Sequence, residues 1–277
     1  MKKYTFILLF FLSTTVLLAQ KKEKIKGSKT VTVEQREIGN FAALLVEDNI
    51  EVHLERGEKA ELKIETDENL QSIVSLDLSD HILRIYTTKQ AINYKKMVVR
   101  VTYTNDLNLI TAKNESTVTA IQELLLNTIT VKAHDTSQLF LNVNTTNFLL
   151  QADEKSKIEL NLKSENTTIE LSENSSLKAL ITTIDLKVDM YQKSNANLEG
   201  NAANTIIRLD NNASFIGSKF TTKNADITTE SDTKCSLFTE TAVIIDAGER
   251  SEIQLLGSPK IEIRKFADEA KLIKKLK

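Results

Sequence analysis

A repeat of about 19 residues in the second half of the chain limits its possible folds more than any other feature. The repeat is marked by a small residue at eight positions, spaced 18 to 21 residues apart, and seven of the eight carry a hydroxyl group. The markers are Ser116, Ser137, Ser156, Ser175, Ser194, Ala213, Thr233 and Ser251. A unit this short cannot close a hydrophobic core by itself, so the copies are expected to pack on one another.

The residues around each marker alternate between apolar and polar. The positions two after and six before the marker are apolar in every copy, as Val118 and Ile110 are around Ser116. The positions one after and five before are polar in every copy, as Thr117 and Thr111 are. Alternation with a period of two indicates strands with one buried face. Each repeat is therefore predicted to hold two strands, and helix is excluded for this half of the chain.

Polar corners separate the two strands of each repeat. Residues 153–155 and 172–174 are rich in turn-forming side chains, and residues 163–166 form a second polar patch in the same unit. Stacking such units at about 4.8 Å buries the apolar columns continuously and predicts an all-β parallel β-helix of about eight coils. An antiparallel sandwich remains a structural alternative, whereas a propeller blade needs a longer unit.

The N-terminus has the order of a secretory signal peptide. Lys2 and Lys3 precede an apolar stretch from Phe6 to Leu18, and Ala19 offers a small residue for cleavage. The apolar stretch is short for a membrane span, which needs about 20 residues. We therefore expect export and cleavage, leaving a protein that is not an integral membrane protein and resides in the periplasm, at the cell surface or outside the cell.

Composition excludes several classes of protein. The 277 residues include 36 Lys and Arg against 38 Asp and Glu, without the basic excess of a nucleic-acid-binding domain. The single cysteine rules out an intramolecular disulfide and any multi-cysteine zinc or iron–sulfur site. No catalytic, metal-binding or cofactor-binding residue is assigned, and no cofactor or nucleic-acid partner is expected.

The chain resembles the family called the putative auto-transporter adhesin head GIN domain, from about Thr30 to Ile263. Ile50-x-Val52-x-Leu54 followed by Gly57 is similar to the opening strands of that family, and residues 255–259 are similar to its closing motif. The family often has glycine beside the serine of its corners, whereas this chain has Asn, Asp, Glu or Lys there. The resemblance implies a right-handed β-helix, typical of exported Bacteroidetes proteins, with an adhesin-like role and no catalytic residue.

These observations divide the chain into four predicted parts. The parts are a signal peptide (1–19), a flexible leader (20–30), a GIN-like β-helix domain (31–263, with N-terminal strands in 31–104 and repeats in 105–257) and a basic C-terminal segment (264–277). In the last part, Phe266, Ala270 and Ile273 recur near helical spacing. This spacing predicts a short amphipathic helix that caps the stack or lies on a membrane.

Four groups of side chains are candidate sites. The serine column has a possible base, His134, near only one of its members, so a catalytic role is not expected. The serines are predicted to satisfy backbone groups at the corners. Acidic corners such as Asp153 and Glu154 are interrupted by basic residues and are predicted to be solvated, with weak cation binding as the alternative. Phe140 and Tyr191 are the outward rings that a glycan would use, and Cys235 is predicted to be a buried, inert thiol.

The leading functional hypothesis is a non-enzymatic adhesive or structural module of the cell envelope. Its partner would be an envelope protein or a polysaccharide, bound by many weak contacts along a rigid face. The alternatives are a polysaccharide lyase or hydrolase, with carboxylates and basic residues converging in one groove, and an envelope-sensing scaffold.

Overall fold

The computed structural model describes residues 22–120 and 122–275, which form 24 strands and one short 3-10 helix, Glu68–Ile73. The first twelve strands are β1 (Lys24–Lys26), β2 (Val31–Arg36), β3 (Ala43–Val46), β4 (Glu51–Arg56), β5 (Glu61–Asp67), β6 (Val74–Ser79), β7 (Ile82–Thr87), β8 (Gln90–Ile92), β9 (Met97–Tyr103), β10 (Leu109–Ala112), β11 (Thr117–Ala120) and β12 (Leu124–Leu125). The others are β13 (Thr128–Ala133), β14 (Gln138–Asn144), β15 (Asn147–Ala152), β16 (Lys157–Lys163), β17 (Asn166–Leu171), β18 (Ser176–Met190), β19 (Asn195–Leu209), β20 (Ser214–Thr229), β21 (Lys234–Ala247), β22 (Glu252–Leu256), β23 (Lys260–Phe266) and β24 (Lys271–Lys274).

Successive coils stack in parallel and form two faces. Sheet A contains the strand before each marker and sheet B contains the strand after it. Each of the four strands β18 to β21 is long and bends at a corner. Its first half lies in sheet B, and its second half lies in sheet A of the following coil. Every strand pair within residues 105–257 is parallel, so the antiparallel sandwich is wrong for the repeats.

Two apolar columns run the length of the stack, and each member is the register partner of the next. The column of sheet A is Leu83, Leu44, Ile110, Val131, Leu150, Ile169, Val188, Ile207, Ile227, Ile245 and Ile263. The column of sheet B is Val99, Val52, Val118, Leu139, Ile158, Leu177, Ala196, Phe215, Cys235, Ile253 and Leu272. The predicted β-solenoid is confirmed, with about nine turns.

The corner between sheets A and B has left-handed backbone without glycine. In six consecutive coils two adjacent residues have positive φ, between 47° and 67°. They are Asn114 and Glu115, Asp135 and Thr136, Glu154 and Lys155, Glu173 and Asn174, Gln192 and Lys193, and Asn211 and Asn212. In the first five of these corners the second residue donates its N–H to a carbonyl of the next corner, as Lys155 does to Glu173 at 3.0 Å. This backbone ladder offsets the steric cost of left-handed residues that carry a Cβ atom.

The corner between sheets B and A is held by side chains. Exposed amides form a ladder there, since Asn166 donates to Asn147 at 3.0 Å and Asn224 donates to Asn204 at 3.1 Å. Beneath them, buried threonines bond one another, as Thr205 does with Thr222 at 2.9 Å. Polar residues such as Thr205 and Thr222 are therefore tolerated inside this corner because they bond each other.

The predicted N-terminal strands extend the same stack. The coil β3–β4 lies directly below β10–β11, and the coil β7–β9 lies below that. Antiparallel strands then complete this end, with β5 on β9, β2 on β5 and β6 on β7. Leu83 and Val99 in the lowest coil are consequently fully buried.

The expectation of a flexible leader is wrong for its described part. Strand β1 pairs in parallel with β8, and Lys22 forms an ion pair of 2.6 Å with Asp48. The buried Asp67 carboxylate accepts the backbone N–H of Lys29 at 2.7 Å. The polar composition of this segment did not predict its docking, because the contacts are made by backbone groups and by one carboxylate that is distant in sequence. The predicted signal peptide, 1–19, lies outside the described residues.

The expectation of a C-terminal helix is also wrong. Residues 260–275 form another coil, in which β23 pairs with β21 and β24 pairs with β22. Ala270 stands two residues before the inward Leu272, as a marker does. Arg264 is an extra residue in the pairing with β21 and forms a bulge. Because of this bulge, the inward Ile263 lies seven residues before Ala270, whereas the repeat has its apolar residue six before the marker. The described part of the chain holds no helix long and apolar enough to span a bilayer.

Candidate functional site

The serine column is not accessible to a substrate. The side chains of Ser137, Ser156, Ser175 and Ser194 are fully buried, and their hydroxyl groups have no hydrogen-bond partner among the described residues. Two members of the column bond to the backbone as predicted. Ser116 accepts from Lys113 N at 3.0 Å and donates to the carbonyl of Val46 at 3.2 Å, and Thr233 donates to the carbonyl of Glu230 at 2.9 Å. A nucleophile needs a base and access to substrate, and these serines lack both.

The left-handed corners line a cleft of about 1190 Å³. Acidic and basic residues are mixed along it. The hydrogen bond and the negative charge of Asp135 raise the pKa of Glu154 above its ordinary value. Within the described ranges no three His, Cys, Asp or Glu side chains are grouped so as to hold a metal ion. The described residues of this cleft therefore carry charges of both signs and contain no group of side chains that could bind a metal ion.

A polar groove of about 480 Å³ lies on sheet A beside the same corner. His134 Nδ1 lies 2.7 Å from Asp153 Oδ1, and Glu170 accepts from Gln151 at 2.8 Å. Lys132, Gln151, Glu170 and Asp189 follow one another in register on adjacent strands, and Tyr191 closes the groove. The structure thus brings carboxylates together with basic residues, as the enzyme hypothesis requires.

A second groove, of about 500 Å³, crosses sheet B, and we call it the Phe140 groove. Its outward side chains form two rows in register along the stack. They are Phe140, Glu159, Lys178 and Asn197 in one row, and Asn142, Asn161, Leu180 and Glu199 in the other. Phe140 is 38% exposed and Leu180 is 51% exposed. The groove combines apolar area with amides and charges of both signs.

The two predicted rings do not share a site. Phe140 lies on sheet B, whereas Tyr191 lies in the polar groove with the Arg208 guanidinium 5.8 Å from its ring centre. Sequence reasoning found Phe140 but missed Asn142, Asn161 and Leu180. Aligning the repeats by their markers would have placed these three in one outward row.

The one cysteine belongs to the core. Cys235 is a member of the inward column of sheet B and is fully buried, and this burial raises its pKa to about 12. A thiol in this state is neither a nucleophile nor a metal ligand at neutral pH.

The fold resembles those of solved structures. A putative adhesin from Parabacteroides merdae matches with a TM-score of 0.66 at 15% identity, covering 92% of this chain and 100% of that one. A putative adhesin from Parabacteroides distasonis matches with a TM-score of 0.64 at 14% identity, covering 90% and 99%. A putative lipid binding protein from Parabacteroides distasonis matches with a TM-score of 0.61 at 12% identity, covering 92% and 100%.

Sequence comparison gives the family. No curated protein matches the chain. The profile of the family described as "Putative auto-transporter adhesin, head GIN domain" matches residues 40–180 and 160–259, which together cover most of the chain. The matched residues include N-terminal strands as well as repeats. The chain belongs to the putative auto-transporter adhesin head GIN domain family, as the resemblance of its motifs predicted.

Proposed function

We propose that the protein is an exported, non-enzymatic module of the cell envelope that holds a polysaccharide or an envelope protein along one rigid face. Its adhesin family and its fold support this reading. The observation that carries the proposal is the register of the Phe140 groove, where each coil adds an outward side chain to two continuous rows.

The spacing of these rows suits an extended ligand. Adjacent parallel strands lie about 4.8 Å apart, so each coil offers a contact at a constant interval along the stack. A pyranose unit in an extended polysaccharide has a similar length. The Phe140 ring gives a sugar an apolar platform, while Asn142 and Asn161 offer both donors and acceptors to its hydroxyl groups. Several weak contacts of this kind add up along a polymer.

Binding of the mature chain, residues 20–277, to an array of glycans and purified envelope proteins tests the proposal. A Phe140→Ala variant should weaken binding by about tenfold, corresponding to about 1.4 kcal/mol. Ile206→Ala is the matched control, because Ile206 is 53% exposed on the opposite sheet. Equal binding by both variants, or no binding by the native chain to any probe, would reject the Phe140 groove as the binding face.

The polar groove of sheet A supports a second candidate, an enzyme that acts on polysaccharides. Asp153, Glu170 and Asp189 lie there with Lys132 and His134. The observed partners weigh against it, because the Asp153 carboxylate is bonded to His134 and Asp189 is paired with Lys187 at 2.8 Å. Acidic residues also outnumber basic ones, which opposes an acidic uronate chain.

Product analysis separates the two candidates. The native chain is incubated with polyuronates and with neutral glycans, and new unsaturated or reducing ends are measured. The binding proposal predicts none. Product formation that is lost in Glu170→Gln would establish the enzyme instead.

A further inference from the structure

Among the described residues, nothing packs on the outer edge of the last coil of the stack. Ile263 continues the inward column of sheet A as the register partner of Ile245, yet Ile263 is 50% exposed whereas Ile245 is fully buried. Ile261 and Phe266 on the same strand are 44% and 45% exposed. Within the described residues, β23 pairs only with β21 and β24 only with β22. The outer edge of this coil therefore presents unpaired backbone N–H and carbonyl groups beside apolar side chains.

The opposite end of the stack is closed. There the inward Leu83 and Val99 are fully buried, because antiparallel strands and the helix Glu68–Ile73 complete the core. The two ends are thus not equivalent, because among the described residues the inward columns are covered at the first coil and exposed at the last.

The open end is basic. Lys260, Lys271, Lys274 and Lys275 lie on or beside β23 and β24 and form no ion pair with any described residue. Arg264 is different, because it lies 3.4 Å from Asp226. Lys260 lies on β23 itself, whereas the other three lysines lie on or after β24 in the neighbouring sheet. Residues 260–275 contain six basic and three acidic residues, so the last coil has a net charge of +3. Acidic side chains on a strand added at this end would therefore be favoured.

We propose that the last coil binds an acidic, extended segment of a partner protein, which adds to β23 as one further strand. Its backbone would satisfy the edge of β23, and apolar residues at every second position would cover Ile261 and Ile263. A second copy of the chain fits less well, because a symmetric contact brings two basic ends together. A lipid surface fits less well, because hydrocarbon leaves the backbone groups of the edge unpaired.

A synthetic peptide of alternating Glu and Val, seven residues long like β23, tests this proposal by fluorescence anisotropy with the mature chain. We expect saturable binding that weakens as salt is raised. The same peptide with alternate backbone amides N-methylated, and a peptide of alternating Lys and Val, should each bind at least about tenfold more weakly.

Protein variants locate the site. Ile263→Lys and Ile261→Lys should each weaken peptide binding by about tenfold, whereas Ile206→Lys, at an equally exposed side chain elsewhere, should not. Circular dichroism shows whether each variant is folded, and the two β23 variants serve as replicates if one fails. The proposal is overturned by peptides that bind equally regardless of charge or N-methylation, and by the absence of peptide binding. It is also overturned by self-association through β23 that excludes the peptide, and by binding to anionic phosphatidylglycerol vesicles alone.

Discussion

Ile169 and Val188 are register partners on adjacent parallel strands, and both are fully buried in the column of sheet A. Each therefore fills the space above or below the other, and the column is continuous only while every coil contributes its member. The following predictions test this arrangement and the features that surround it.

The first prediction concerns the continuity of the column. Ile169→Ala should lower the free energy of unfolding by about 2–5 kcal/mol, because the lost methyl groups leave a cavity between two coils. Ile184→Ala, at a side chain that is 52% exposed, should change it by less than about 0.5 kcal/mol. Urea unfolding followed by circular dichroism measures both. Equal effects of the two changes would contradict the stacked core.

The second prediction concerns the buried serines. Ser175→Ala should leave stability unchanged or raise it, because the Ser175 hydroxyl is buried with no hydrogen-bond partner in the part of the chain that the structure describes, and Ala213 occupies the same column elsewhere. Ser116→Ala should lower stability by about 1 kcal/mol, because the Ser116 hydroxyl bonds to Lys113 and Val46. Thermal unfolding of the two variants checks the contrast. A destabilised Ser175→Ala variant would indicate a hydrogen bond at that site.

The third prediction concerns the left-handed corners. Lys155 has a φ of 67°, so Lys155→Gly should relieve steric strain in the folded state. Glycine also makes the unfolded chain more flexible, which offsets part of the gain, so the free energy of unfolding should rise by about 0.5–1 kcal/mol. Lys155→Ala keeps the Cβ atom and should give no such gain. Urea midpoints of the two variants decide this. A loss of stability with glycine would mean that the Lys155 side chain contributes more than the strain costs.

The fourth prediction concerns pH. Burial alone would raise the pKa of Asp67, but backbone N–H groups of Lys29, Lys95 and Lys96 lower it below the ordinary value of 3.8. The stabilisation is therefore complete above that value and is lost as the pH falls through the lower pKa of the folded state.

Asp67→Asn removes this dependence. The variant should be less stable than the native chain at pH 7, and the difference should shrink as the pH falls below about 4. Urea midpoints of both proteins across this range measure it. A gap that stays constant on acidification would show that the Asp67 charge is not what holds the leader.

The fifth prediction concerns Cys235. Its pKa of about 12 and its full burial predict no reaction with iodoacetamide at neutral pH in the native state, and complete reaction in concentrated guanidinium chloride. A Lys234→Cys variant, with an exposed thiol one residue away, should react once in the native state. Mass spectrometry counts the adducts. Native modification of Cys235 would show that the column opens locally.

The sequence by itself determined the repeated core. An alternating pattern that recurs every 19 residues or so has one economical solution, which is to stack like over like, and Ile169 over Val188 follows from it. The inward place of Cys235 and the outward place of Phe140 follow from the same pattern, because the side chains of a strand alternate between its two faces.

Only the tertiary structure decided the parts without a regular period. The docking of residues 24–29 depends on Asp67, far away in the chain, and on backbone groups that carry no sequence signal. The bulge at Arg264 hid the final coil from the repeat pattern, because one inserted residue reverses the faces of all that follow. The grooves were not predictable either, since they are formed by residues of successive coils whose neighbours are set by stacking rather than by chain order.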